Sequence, residues 1–350
     1  MATRIKGPAI FLAQFTTPNP PRNNIENFAN WAASLGFKGL QIPSWDPNMI
    51  DLDKAATSKT YCDDYAGKLK AKGLTVTDLY GLQGQMIAIH PAMEDLFASF
   101  HPAGLKGKSL VEWAQKELMK IVDASVNLGC KCVPVLSGGM AWNFVYPWPQ
   151  RPAGLIELAY QELAKRWLPV LNYAADKGVT INFELHPGCD LFDGATFDMF
   201  LEYVNNHPAA CINYDPSHFV LQQLDYVEFI RVYADRIKGF HVKDGEFIPS
   251  AKQGVYSGMQ PWPKRAGRFR TVGDGQVNFK KVFSLLTEVG FDGWAVLEWE
   301  DPVRSPDQAA EIAVKFIADH LIEVAEYAFD NFLATGVNQE ENKRILGIVD

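Results

Sequence analysis

The chain has 350 residues, 47% of them hydrophobic, and sets 33 Lys and Arg against 41 Asp and Glu for a formal charge of −8. That length supports one globular domain with a large core, and a pI near 5.5 argues against general attraction to phosphate backbones or anionic membranes. The opening MATRIKGPAIFLAQF has too short an apolar run for a signal peptide, and no stretch of about 18 apolar residues occurs, so a soluble, cytoplasmic protein is expected. The five cysteines lack zinc-site spacing, since Cys130 and Cys132 form CxC, and are expected to be buried thiols.

In chain order, AIFLAQF (9–15) is the first strand candidate, followed by the helical run NIENFANWAASL (24–35). A pattern then recurs in which an amphipathic helix ends in Gly and a short apolar, β-rich run follows. It reads SLGFKGLQI (34–42), KAKGLTVTDL (70–79), NLGCKCVPVL (127–136), DKGVTINFE (176–184) and EVGFDGWAVLE (288–298). Glycine just past a helix end supplies the left-handed cap from which the next strand starts. ACINYD (210–215) and RIKGFHV (236–242) bring the strand candidates to eight, with helices such as 109–128 and 279–289 between them. Continuously apolar strands alternating with helices predict a parallel sheet covered by helices. A closed (β/α)8 TIM barrel with extended loops on its C-terminal face fits best, as a single domain over 1–335 with a tail at 336–350. An open doubly wound sheet fits less well, because TTPNPPRNN follows the first strand in place of a Gly-rich phosphate loop.

In such a barrel the chemistry sits where strands end. The last four strands each end in a polar residue: Glu184 in INFELHPG, Asp215 in INYDPSH, His241 in GFHVKD and Glu298 in AVLEWE. Neighbouring strands lie about 4.8 Å apart, so these four side chains can share a pocket. Three carboxylates that close repel one another unless a cation holds them ionised. Three oxygen donors and an imidazole suit an octahedral divalent ion, Mn²⁺ first, with Mg²⁺, Co²⁺ or Zn²⁺ as alternatives. Against this stands the reading that each acid caps a helix or pairs with a Lys or Arg.

ELHPG, DPSH, HVKD and LEWE, with their key residues 31, 26 and 57 positions apart, resemble the xylose isomerase-like TIM barrel family of sugar phosphate isomerases, epimerases and ketose 3-epimerases. The resemblance extends over roughly residues 8 to 330. It implies that Glu184, Asp215, His241 and Glu298 bind a divalent cation, usually manganese. It also implies that Glu184 and Glu298 face opposite sides of the sugar and move its proton, and that His218 holds the substrate. The chemistry agrees: abstracting a proton beside a carbonyl develops negative charge that a cation stabilises, and a partly desolvated carboxylate serves as base. His186, two residues past Glu184, faces the pocket on strand periodicity and is either an alternative base or a group fixing Glu184. Lys243 either neutralises an oxyanion or pairs with Asp244 or Glu300.

The segment containing His90 and His101 is too long for an ordinary connection and is expected to roof the site, with His90 the better substrate contact. Trp142, Tyr146 and Trp148 in the loop after the fourth strand stack on a sugar or an aglycone, or pack the rim. The family carries an arginine shortly after the metal-binding histidine. Here HVKDGEF runs instead into an insertion holding Lys252, Lys264, Arg265, Arg268 and Arg270 and no acid. Arg268 or Arg270 is expected to reach the substrate, with Tyr256 and Trp262 as apolar contacts. The reading is a metal-dependent sugar isomerase or epimerase, or a lyase that eliminates the aglycone from 3-keto glycosides. Its substrate is a small-molecule carbohydrate, with neither nucleic acid nor membrane as partner and with the tail able to dock on a partner subunit. An endonuclease IV-like phosphodiesterase would need more histidines and a basic groove. A non-catalytic sugar-binding barrel would not need the ligand set.

Overall fold

The structure, a computed structural model, describes residues 4–325 and 336–348. Eight parallel strands alternate with helices: β1 (Lys6–Phe11), β2 (Gly39–Pro43), β3 (Thr75–Tyr80), β4 (Cys132–Val135), β5 (Thr180–Glu184), β6 (Ala210–Tyr214), β7 (Ile237–Val242) and, after a two-stranded insertion β8 (Asp244–Phe247) and β9 (Gly267–Arg270), β10 (Trp294–Leu297). Their order in the sheet is β3-β2-β1-β10-β7-β6-β5-β4. A parallel bridge between Gly81 and Val135 ties the two outer strands together, so the sheet curls into a nearly closed barrel. All eight expected strands are present.

The helix-Gly-strand pattern has the expected cause. Helix Ile25–Leu35 starts on the Asn24 side chain, buries Phe28, Ala29 and Ala32, and stops at Gly36, whose φ of 105° a residue with a Cβ adopts only with strain. Helix Gly107–Leu128 stops the same way at Gly129, with φ 77°. Core side chains such as Trp167, Phe183, Phe200 and Phe283 are fully buried. All five cysteines are free, four of them buried and Cys132 half-buried. No helix among the described residues is long and apolar enough to cross a membrane. The expected end of the barrel at residue 335 lies outside the described residues, and the tail holds a short helix, Gln339–Leu346.

The insertion after β7 is a β-hairpin, with β8 and β9 paired antiparallel. Its root is held by Asp244, which is fully buried and accepts backbone N–H bonds from Gly245, Gly273, Gly275 and Val277 at 2.8 to 3.1 Å. Asp244 therefore does not pair with Lys243, one of the two partners expected from the sequence.

Candidate active site

Strands β5, β6, β7 and β10 are consecutive neighbours in the sheet, and that adjacency brings their C-terminal residues together. Glu184, Asp215, His241 and Glu298 are all buried, and one donor atom from each lies within 4.8 Å of the others. Asp215 divides its two oxygens. Oδ1 accepts the Ser217 N–H at 2.8 Å and caps helix Pro216–Gln222, whereas buried Oδ2 has no hydrogen-bond partner. His241 Nδ1 likewise has no aligned partner, although it lies 2.9 Å from Glu298 Oε2 and 3.5 Å from Glu184 Oε2. Two unpartnered buried atoms gathered with two carboxylates fit a ligand set for a divalent cation. The helix cap that the sequence posed as one alternative is thus made by Oδ1 alone, which leaves Oδ2 turned to the other three side chains.

The electrostatics point the same way. Burial, then the neighbouring Glu298 charge, pushes the Glu184 carboxyl upward. Burial likewise raises Asp215, although Lys243 counters it. Burial opposes a charged His241, yet Glu298 and Glu184 outweigh it and carry its pKa to about 9. For Glu298, Lys243 and His241 override burial and hold the carboxyl well below the usual range. A set that draws protons this strongly is short of positive charge, which a dication supplies.

The two glutamates are already occupied by donors. Glu184 Oε2 accepts from the Tyr80 hydroxyl at 3.0 Å, and Oε1 lies 3.2 Å from His218 Nε2. Glu298 Oε1 accepts from Gln14 Nε2 at 2.6 Å, and its Oε2 is shared by His241 and Lys243. Lys243 is sealed, and its ammonium lies 2.9 Å from Glu300, 3.4 Å from Glu298 and 3.8 Å from Asp215. Of the partners expected for it, Glu300 is the one found. His218 is buried, and burial, then His186 and Lys243, keeps it neutral.

His186 differs from all of these. Its ring packs 4.1 Å from that of His218 and is only half-buried. Nδ1 sits 2.5 Å from the Pro187 carbonyl oxygen. A carbonyl only accepts, so Nδ1 carries the hydrogen and neutral His186 keeps a bare lone pair on Nε2.

The remaining expected contacts lie further out. His90 accepts the Ala92 N–H, capping the turn Pro91–Phe100, and packs on Phe144; no contact joins it to the four donors. Trp142 packs on Phe192 and lines a cleft with Ile89, Met93, Phe97, Asn143 and Gly188, next to the His186 turn. Asp190 locks that loop by accepting the backbone N–H groups of Met140, Ala141 and Trp142.

The insertion pairs its arginines with an acid. Arg268 and Arg270, expected to reach the substrate, both bind Glu246 Oε1, at 2.6 and 2.8 Å. Side chains alternate along a strand, so the residue between them takes the other face. Phe269 is buried and covers Lys243, whose Nζ lies 4.2 Å from its ring centroid, and His218, at 5.3 Å. Trp262 backs Phe269 at 5.1 Å, and Tyr256 meets Tyr146 at the exposed rim. Roofing therefore falls to an aromatic, because the acids flanking the insertion capture its arginines. Arg268→Ala and Arg270→Ala are expected to leave kcat/KM within a few-fold. Phe269→Ala should cost about 3–5 kcal/mol of stability and depress turnover. Steady-state kinetics and thermal melts check this, and a large kinetic loss in either arginine variant alone would return that arginine to the site.

With this geometry in place, comparison with known proteins identifies the fold. The xylose isomerase-like TIM barrel family matches residues 29–320. The chain belongs to that family. Inosose dehydratase of Clostridium tetani (strain Massachusetts / E88) is 30% identical over 167 residues, 47% of this chain and 55% of that protein. The chain spans about half the length of the first curated relatives it matches. Among solved structures, 3-keto-D-glucoside 4-epimerase of E. coli superposes with a TM-score of 0.61 at 15% identity, over 91% of this chain and all of that one. A family protein from Mycobacterium smegmatis in complex with magnesium gives 0.61 at 14% identity, covering 91% and 98%. At these identities the superpositions establish the barrel, and the site rests on the residues themselves.

Proposed function

We propose that the protein is a divalent-metal-dependent carbohydrate enzyme that abstracts a proton from the carbon next to a carbonyl. The observation that carries this reading is the pair of orphaned donors, Asp215 Oδ2 and His241 Nδ1, gathered with Glu184 and Glu298 beside a half-buried imidazole with a bare lone pair. Glu184, Asp215, His241 and Glu298 would hold the cation, with Mn²⁺ the first candidate. A divalent ion bound there acts as a Lewis acid toward a carbonyl oxygen. His186 Nε2 takes the proton, and the C–H electron pair moves toward the carbonyl. Elimination then follows when the leaving group departs from the β carbon, taking the proton back from the His186 imidazolium and leaving as water or an alcohol. Lys243, His218 and Phe269 keep water from the developing charge.

One base on one face suffices for elimination, and dehydration is the reaction named for the curated relatives, the inosose dehydratases. Keto-inositols and 3-keto glycosides are therefore the first substrates to test. Epimerisation, the first reading from sequence, needs a second base, and the pairing of Glu184 with Glu298 favours it if Tyr80 or Gln14 releases its carboxylate. The deciding experiment incubates Mn²⁺-loaded protein with ketoses, sugar phosphates, keto-inositols and 3-keto glycosides in D₂O and follows products by NMR. Loss of water or aglycone identifies elimination, deuterium at an otherwise intact carbon identifies epimerisation or isomerisation, and no turnover on the panel rejects the proposal.

The pH profile gives an independent check. His186 works as the neutral base, so kcat/KM rises with pH through its pKa and levels off above. Burial, then the Lys243 charge, lowers that pKa below the ordinary 6.5. The plateau should extend below pH 6.5, with the acid limb lower still. Rates measured from about pH 5 to 8 test it; an acid limb centred above 6.5 contradicts the assignment.

A further inference from the structure

Inside the barrel, beneath the four candidate ligands, lie two polar side chains that the reaction itself does not use, Gln41 on β2 and Asp78 on β3. They are 1% and 6% exposed, and His241 is 0% exposed. His241 Nε2 lies 3.0 Å from Gln41 Oε1, across 200 residues of sequence. Asp78 is the register partner of Gln41 on the neighbouring strand, so the two side chains stand side by side on one face of the sheet. The Phe11 and Tyr80 rings stack on the imidazole, at 5.9 and 6.2 Å with interplanar angles of 22° and 18°, and set its plane.

Donors and acceptors in this chain run one way. The Gln41 carbonyl oxygen is the atom that meets His241 Nε2, and a carboxylate only accepts, so Asp78 on the next strand favours the same orientation by attracting the NH₂ group. That oxygen also only accepts, so His241 Nε2 carries the hydrogen. A neutral imidazole has one N–H, and the lone pair therefore falls on Nδ1, the orphaned atom that faces Glu298 and Glu184. We infer that Gln41, held in one orientation by Asp78, is a positioning residue that presents His241 to a divalent cation through Nδ1. The inference rests on the metal reading above and extends it to residues that touch neither metal nor substrate. Groups that hold the far nitrogen of a ligating histidine typically change metal affinity about 10–100-fold when removed.

The test uses Mn²⁺ alone as probe on metal-free, full-length protein, with unbound Mn²⁺ read by electron paramagnetic resonance. Gln41→Met removes the acceptor and should weaken binding about 10–100-fold. Asp78→Asn lets the Gln41 amide turn over and should weaken it less. The double variant Gln41→Glu with Asp78→Asn exchanges acid and amide, keeping both the net charge and an acceptor toward His241, and should recover affinity to within a few-fold of wild type. A merely structural role predicts no such rescue. Nitrogen-15 histidine NMR of the Zn²⁺-loaded protein should show His241 bound through Nδ1, with a slowly exchanging proton on Nε2. Thermal melts without metal check the fold; should Gln41→Met not fold, Asp78→Asn and the double variant carry the comparison. Wild-type affinity in the folded single variants, a double variant no tighter than its parents, or ligation through Nε2 overturns the inference. A wild-type protein that binds no Mn²⁺ overturns the metal reading itself, which is a separate result.

Discussion

Asp215→Ala and His241→Ala, each made alone, are expected to yield a folded barrel with no bound divalent cation and turnover reduced by at least about three orders of magnitude, the scale of several kcal/mol of transition-state stabilisation. Each removes one of the two atoms among the four candidate ligands that lack a hydrogen-bond partner. Each also leaves carboxylates gathered without full compensation. The two variants differ in their structural cost. Asp215 caps helix Pro216–Gln222 through Oδ1, so its loss should also lower stability by about 1 kcal/mol. His241 caps nothing. Elemental analysis of purified protein, together with circular dichroism melts, measures both effects. Full cation occupancy in either variant would remove that residue from the ligand set.

The second large effect separates base from ligand. His186→Asn should keep its cation and fold yet lose about 10²–10⁴ in kcat, the usual contribution of a positioned general base. Glu298→Gln should behave differently. Its Oε2 is shared by His241 and Lys243 and its charge is held strongly ionised, so it is a poor base and a good ligand. The amide should therefore lose metal affinity along with turnover, and excess Mn²⁺ should recover part of the activity. Excess metal should do nothing for His186→Asn. Activity in His186→Asn within a few-fold of wild type would transfer the base to Glu184, whose carboxyl burial pushes upward.

The fold and the gathering of four polar strand ends were legible in the sequence for a local reason. A helix that must stop at a left-handed glycine, followed by a run apolar on both faces, specifies a helix-covered parallel strand from neighbouring residues alone, as at Gly36 and Gly129. A polar residue where such a run ends stands at the barrel mouth, and this rule marked Glu184, Asp215, His241 and Glu298. Applied to the third strand it would also have marked Tyr80, which ends β3 and donates to Glu184. Other features had no local signature. Gln14 and Gln41 meet Glu298 and His241 across 284 and 200 residues, partnerships that exist only once the sheet has closed. The hairpin's basic composition pointed to its arginines, but register decided otherwise. Pairing Asp244 with Arg270 and Glu246 with Arg268 sets both arginines beside Glu246 and puts Phe269 over Lys243 and His218. Which face a strand residue takes depends on pairing with a distant partner and on the acids that partner brings, so only the tertiary structure decided that an aromatic ring rather than a guanidinium roofs the site.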